Sequence, residues 1–311
     1  MDQFYTPLRY PGGKGRLSHF IQLVLAENNL CDAHYVEPFC GGCGIAFPLL
    51  YLQYARHVHL NDFNRSIHLF WKAVLYQTED LCKLISETKV NPKEWHKQRG
   101  ILDAGSGTDL EIGFATFFMN RCNRSGIING GMIGGKQQNG KWKIDARFNK
   151  GSLITRIQRI ASYRNRISLY NLDAEQFLSR INGNLPCKTL IYLDPPYYLK
   201  GAGLYEDHYL HHDHERLAKF VQRRLKNHWI VSYDNHPKIR KMYAERRRIE
   251  YQLSYTAKDR YFGTEVIFFS DELVIPKVPN PARRSAQPKT PIRLAKYLMS
   301  TAARLTQTTR P

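Results

Sequence analysis

The chain has 311 residues, is 42% hydrophobic and 12% aromatic, and carries a formal net charge of +19. That is enough for one large domain, or for one domain with a sizeable insertion, and it excludes a disulfide miniprotein, a coiled coil and a mostly disordered polypeptide. So basic a protein is expected to meet a polyanion, either nucleic acid or an anionic membrane surface. The first of four regions, 1–70, alternates short apolar runs with glycine-rich turns. Strands are expected at 35–36 and 56–60, and helices at 17–27 and 45–54. Its apolar run 44–52 is the longest in the chain and about half a membrane span, so no membrane association is expected. The N-terminus lacks the basic-then-apolar pattern of a secretory signal. The second region, 71–164, opens with helical patterning and turns rich in Gly, Asn and Lys between 121 and 150. The third, 165–275, returns to strands at Ile167–Tyr170, Thr189–Leu193, 229–232 and 266–269, separated by helical stretches. Wholly apolar runs such as 190–193 suit parallel strands buried on both faces. This alternation implies an α/β doubly wound sheet formed by 1–70 with 165–275, into which 71–164 is inserted. The last region, 276–311, holds eight basic and no acidic residues, against +11 for the rest of the chain. It reads as a disordered basic tail with one short helix at 292–299. The six cysteines have no framework spacing and are expected to be reduced thiols of a cytosolic protein.

Two stretches carry chemistry. In Tyr35-Val36-Glu37-Pro38-Phe39-Cys40-Gly41-Gly42-Cys43-Gly44, a strand runs into a glycine-rich turn and then a helix. Glycine lets backbone approach a ligand, and a helix N-terminus favours negative charge. Asp62 ends the next strand, 21 residues after Gly41. At this spacing a nucleotide-binding α/β unit places a carboxylate on ribose hydroxyls. The second stretch is Asp194-Pro195-Pro196-Tyr197, at the carboxyl end of the 189–193 strand, where open α/β sheets bind ligands. The prolines stiffen the turn and remove two donors. The Asp194 side chain and the Pro195 carbonyl are left as acceptors beside an aromatic ring. Such a site suits a planar aromatic amine, whose two hydrogens can be drawn to the acceptors while its ring stacks on Tyr197. No covalent enzyme intermediate is needed.

With these motifs the sequence resembles the Dam-like, D12 class of DNA adenine methyltransferases, over about residues 7–273. Arg9-Tyr10-Pro11-Gly12-Gly13-Lys14 is similar to the N-terminal cofactor motif, which implies cofactor contacts from Tyr10 and Lys14. The 37–42 loop resembles the cofactor loop and implies contacts from Glu37, Phe39 and Gly41. Asp62 matches the ribose acid and Asp173 the acid near the cofactor adenine, while 194–197 matches the catalytic motif, Asp194 also lying against the cofactor. The stretches 230–234 and 263–267 resemble later strands of the same domain. Cys43 stands where the family's loop often has Gly. The resemblance implies a Rossmann-like S-adenosylmethionine-dependent methyltransferase sheet with a mainly helical inserted target-recognition domain. It also implies methyl transfer to the 6-amino group of a flipped-out adenine in double-stranded DNA, in the cytoplasm of a bacterium or phage-infected host. A restriction partner and the target sequence stay open.

The stretches 120–126, 141–143 and 148–150 resemble the family's target-recognition region, which carries a hairpin, and this implies that the insertion reads DNA, with Asn120, Arg121, Arg124, Lys136, Lys141 and Arg147 as contacts. Between 115 and 166 there are eleven basic residues against one acid, Asp145. Lysine and arginine neutralise phosphates, and arginine also reads guanine edges. No metal is expected: Cys40 and Cys43 lack two further ligands, and the histidines at 208, 211, 212 and 214 read as a solvated or DNA-facing loop. Cys187 precedes its strand and is set aside as a nucleophile. The run at 246–248 is equally a solvated face or a phosphate contact. The rival readings are a related enzyme acting on RNA, on cytosine amines or on protein glutamine, and a catalytically idle nucleic-acid-binding relative. Intact Lys14, Asp62, Asp194 and Tyr197 argue against an idle relative.

Overall fold

The computed structural model describes residues 5–9, 14–198, 209–255 and 261–283. Seven strands form one sheet: β1 (Ala33–Glu37), β2 (Ala55–Asn61), β3 (Ile167–Tyr170), β4 (Thr189–Leu193), β5 (His228–Asp234), β6 (Arg248–Tyr255) and β7 (Tyr261–Phe269). Their order is β3-β2-β1-β4-β5-β7-β6, with β7 antiparallel to both neighbours and the remaining pairs parallel. The order reverses between β1 and β4. Ligands of such sheets bind outside the strand ends at this switch point. The expected α/β doubly wound, Rossmann-like class is therefore found.

Period-two alternation sorts the strands onto two cores. Tyr35, Val58, Leu60, Leu190, Tyr192, Ile230 and Ile267 face one, with α1 (Ser18–Glu27) and α2 (Ala46–Tyr51). Val36, Ile191, Leu193, Val231 and Phe268 face the other, where α8 (Ala174–Asn182) and α9 (His211–Arg224) bury Phe177, Leu178, Leu217 and Val221, and α10 (Pro237–Met242) buries Ile239. β4 is buried along its whole length, as its unbroken apolar run predicts.

The chain leaves the sheet after β2 and builds α3 (Arg65–Tyr76), α4 (Thr78–Glu87), α5 (Pro92–Ala104), α6 (Asp109–Cys122) and α7 (Lys150–Ala161) before β3. Side-chain caps start most of these helices. Asn64, Asn91 and Asn149 accept a backbone N–H, and Thr108 with Glu111 forms a capping box. Phe117, Phe118, Leu153 and Ile157 from these helices join the core that α1 and α2 share with the sheet. The inserted helices are therefore continuous with one face of the sheet.

The expected strands all appear, and β6 is additional. Its residues alternate an exposed Gln252 with a buried Tyr251, the pattern of a half-covered edge. The arginines at its start are tied to the protein: Arg246 pairs with Asp271, Arg247 donates to the carbonyls of Ser270 and Leu273, and Arg248 pairs with Glu250, with Arg247 and Arg248 exposed. The start of the basic tail is packed, with Val278 and Ala282 against the core and Asn280 Nδ2 donating to the Gln252 carbonyl at 3.1 Å. The helix expected at 292–299 lies outside the described residues. Among those described, no helix is long and apolar enough to cross a membrane and no cluster of His, Cys, Asp and Glu is arranged to hold a metal. The cysteines are free thiols.

Candidate active site

The first half of the site is a cradle at the ends of β1 and β2. Gly41 has φ 43°, a left-handed conformation that glycine adopts without strain. Cys43, where the resembling loops often carry Gly, is also left-handed at φ 51°. Its side chain turns into the core and is fully buried there, so it is packed away from the loop's open side. The loop is held from three directions. Asp62 Oδ2 accepts the Gly41 N–H at 2.8 Å, Trp71 Nε1 donates to the Gly41 carbonyl at 2.8 Å, and Asn61 Nδ2 donates to the Pro38 carbonyl at 2.9 Å. Asn61 also exchanges hydrogen bonds with the backbone of Leu172. Asp62 Oδ1 accepts from Asn64 N, so the expected ribose acid also braces the loop and the turn into α3. Asp173 caps α8 through the N–H groups of Glu175 and Gln176. Phe39 meets Tyr209 edge-on, with ring centroids 5.8 Å apart.

Glu37, the last residue of β1, is buried beneath this loop. Its Oε1 accepts from the Tyr35 hydroxyl at 2.9 Å, while its Oε2 is buried with no hydrogen-bond partner among the described residues. Burial pushes the carboxyl up to about 8. The Tyr35 bond and the nearby Ala46 N–H oppose that rise and the Asp194 charge adds to it. A buried carboxylate oxygen left unbonded is costly and suits a cationic ligand group. S-adenosylmethionine carries two such groups, an ammonium and a sulfonium, and the cradle fits it on this ground.

The second half is the corner after β4. Asp194 Oδ1 accepts from Ser232 Oγ at 2.8 Å and lies 3.1 Å from Lys14 Nζ. No described residue hydrogen-bonds to Oδ2 or to the Pro195 carbonyl, and the Asp194 side chain is 19% exposed. Pro196 continues the turn. Lys14, expected on the cofactor, places its ammonium between Asp194 and Glu265, 2.5 Å from Glu265 Oε2. Burial disfavours the Lys14 ammonium, but Asp194 and Glu265 outweigh it and hold its pKa well above the ordinary value. For Asp194, burial raises the pKa, Lys14 opposes, and Glu265 adds to the rise. Tyr197 is only 4% exposed, and its hydroxyl donates to Glu265 Oε1 at 2.8 Å. Tyr198 follows with its N–H on Asp234 and its ring stacked 4.4 Å from His236. Tyr10 lies outside the described residues.

Glu265, Tyr192, Ser232 and Tyr251 are site residues that the sequence reading misses. A lone acid heading the apolar run 266–269 is the signal available for Glu265, since a charge there must find a buried partner.

The inserted segment presents a basic face. Its loop, residues 123–149, is stapled by Gln138, whose amide bonds the Ile133 and Gly135 carbonyls and the Ile144 N–H. Arg124, Lys136, Lys141, Lys143 and Arg147 are exposed on it. Trp142 is 61% exposed, with Lys141 and Arg147 each within 6 Å of its ring centroid. Two expected DNA contacts are engaged within the protein. Asn120 is 1% exposed and its amide pairs with both the N–H and the carbonyl of Arg9, and with the Gly126 carbonyl. Arg121 spends its guanidinium on the carbonyls of Arg147 and Pro7. Burial, then Arg9 and Arg156, lower its pKa to about 9.

Among solved structures, a protein of Pyrococcus horikoshii assigned to the RNA methyltransferases superposes with a TM-score of 0.41 at 9% identity, covering 85% of this chain and 86% of that one. A ribosomal RNA methyltransferase of Streptomyces viridochromogenes gives 0.38 at 13% identity, covering 84% and 86%. No curated protein matches the chain significantly. The family model of D12 class N6 adenine-specific DNA methyltransferases matches residues 10–257, a span that takes in the glycine loop, the inserted basic segment and the Asp194 corner. The chain belongs to that family of enzymes, whose methyl donor is S-adenosylmethionine.

Proposed function

We propose that the protein methylates the 6-amino group of an adenine swung out of double-stranded DNA, using the Asp194 corner as the reacting site. The observation that carries this reading is the pattern of free acceptors. Among the described residues Asp194 is anchored through Oδ1 alone, which leaves Oδ2 and the Pro195 carbonyl for the two hydrogens of an amine. Drawing on both hydrogens returns lone-pair density to nitrogen and aims it. The product nitrogen must also shed a proton, and Oδ2 of a carboxylate whose pKa burial has raised is placed to take it. S-adenosylmethionine, when bound, supplies a methyl group on a sulfonium. Glu37 would hold its cationic part, Asp62 its ribose and Asp173 the region of its adenine, while Phe39, Gly41 and Lys14 shape the space between.

The exposed cations of the 123–149 loop would follow the phosphates, and Trp142 offers a flat ring to an exposed base. The paired amino group of a stacked adenine cannot reach Asp194, so the base must leave the helix, at an expense of a few kcal/mol. The test is expression in a host without adenine methylation, followed by sequencing of host DNA with modified-base detection. N6-methyladenine in one defined sequence is expected with the wild type and none with Asp194→Ala. Loss of an acceptor at the reacting amine is worth about 3 kcal/mol or more, a hundredfold or greater in rate. Methylation that persists with Asp194→Ala refutes the site, and methyl groups found only on RNA refute the substrate.

A further inference from the structure

We propose that Glu265 is a positioning residue for methyl transfer: one buried carboxylate holds both Lys14, the counter-ion of Asp194, and Tyr197. The inference rests on the reading of Asp194 as the acceptor for the reacting amine. Glu265 is fully buried near the middle of β7, paired in register with Asp234 on one side and Tyr251 on the other. A carboxylate so placed is retained only with strong partners. Its Oε2 takes Lys14 at 2.5 Å and the Tyr251 hydroxyl at 3.0 Å, and its Oε1 takes the Tyr197 hydroxyl at 2.8 Å.

The geometry makes Glu265 more than a core ion pair. Lys14 arrives from the N-terminal segment and Tyr197 from the turn after β4, and neither strand of the β1–β4 pair fixes the two with respect to each other. The two carboxylate oxygens of Glu265 do so. The ammonium shared with Asp194 fixes which Asp194 oxygen is engaged and so leaves Oδ2 toward the substrate. The hydroxyl bond fixes the plane of the Tyr197 ring within the catalytic motif. A displacement of about 1 Å in such groups is enough to slow a reaction by roughly a hundredfold.

The charges around Asp194 give a test that simple loss of packing would not reproduce. Lys14 and Glu265 face it from the N-terminal segment and β7, Glu37 and Tyr35 from β1, Tyr192 from β4, and Tyr233 from β5. Glu265 raises the Asp194 pKa and Lys14 lowers it. Replacing Glu265 by Gln removes a negative charge and leaves Lys14 undivided. The acid limb of kcat against pH should then move to lower pH. Lys14→Met should move it to higher pH.

The experiment follows tritiated methyl incorporation from S-adenosylmethionine into DNA from a strain without adenine methylation, between pH 5 and 9, for wild type, Glu265→Gln, Glu265→Asp and Lys14→Met. Glu265→Gln is expected to lower kcat at pH 8 by about tenfold to a hundredfold, with KM for DNA within about twofold. Glu265→Asp keeps the charge and should hold the acid limb at the wild-type position while still slowing kcat. Unchanged kcat in the Gln variant, or acid limbs that move the same way in the Gln and Met variants, overturns the proposal. If the Gln variant does not fold, the Asp variant decides, since a wild-type kcat there also overturns it. A wild type inactive on this DNA fails the functional reading itself, a result distinct from an active wild type with an indifferent Glu265.

Discussion

Binding of S-adenosylmethionine should release a proton from Glu37. Before the cofactor binds, the carboxyl is held at about 8, against an ordinary value of 4.5, chiefly by burial. Raising a pKa by one adds about 1.4 kcal/mol to the cost of ionisation, so ionising Glu37 beneath the loop costs on the order of 5 kcal/mol more than in water. At pH 7 roughly nine molecules in ten carry the proton. A cationic group brought to Oε2, which no described residue bonds, favours the anion. If the bound pKa falls to about 6, some 0.8 proton leaves per cofactor bound at pH 7, with the release fading below pH 6 and above pH 8. Cofactor affinity then rises with pH across that window. Titration calorimetry in buffers of differing ionisation enthalpy measures the release directly, and Glu37→Gln should abolish it. The raised pKa also bears on stability. Since the folded pKa is the higher one, the Glu37 contribution is fully present below about 4.5 and is lost as pH rises through about 8. Melting curves of wild type and Glu37→Gln should therefore diverge between those values, the wild type losing ground as pH rises. Tight cofactor binding with no proton released anywhere between pH 6 and 8 would refute the assignment of Glu37 to the cofactor's cationic part.

Asn120→Ala should act on stability, because it strands the Arg9 N–H and two carbonyls. A loss of about 2–4 kcal/mol is expected, read as a fall of roughly 3–6 °C in Tm, with the target sequence unchanged. Lys141→Ala should weaken binding to all DNA sequences alike and reduce the salt slope by about 1, whereas an Arg124 that reads a base should, on substitution, relax the target at one position. Arg121→Ala should lower Tm without altering target choice, and a relaxed target in that variant would return Arg121 to the interface.

The parts of the site legible in the sequence are those built by neighbours along the chain. The glycine loop, Asp62 and the 194–197 turn each sit directly after a strand, and a strand declares itself through a short apolar run. The order of function along the chain follows, because parallel strands deliver their carboxyl ends to one edge. The Thr108–Glu111 capping box is equally local and readable from its spacing. β6 is missed by a search for wholly apolar runs, although its strict alternation of polar and apolar residues from 248 to 255 is the period-two signal of a half-covered strand.

Other decisions are tertiary. Lys14 and Glu265 are 251 positions apart, Tyr197 and Glu265 68, and Asn120 and Arg9 111. No periodicity or motif spacing encodes contacts at such separations. Resemblance to a target-recognition segment, supported by charge, assigns the insertion to DNA and draws Asn120 and Arg121 into that role. The fold turns Asn120 inward, because the N–H and the carbonyl of Arg9 need partners where the N-terminal segment crosses α6, and it leaves Arg121 half-buried against the carbonyls of Arg147 and Pro7. Local pattern therefore determines which elements form and which turns carry chemistry. Packing determines which polar side chains serve the reaction and which satisfy the backbone, since a buried donor or acceptor is matched to whatever lies beside it in space.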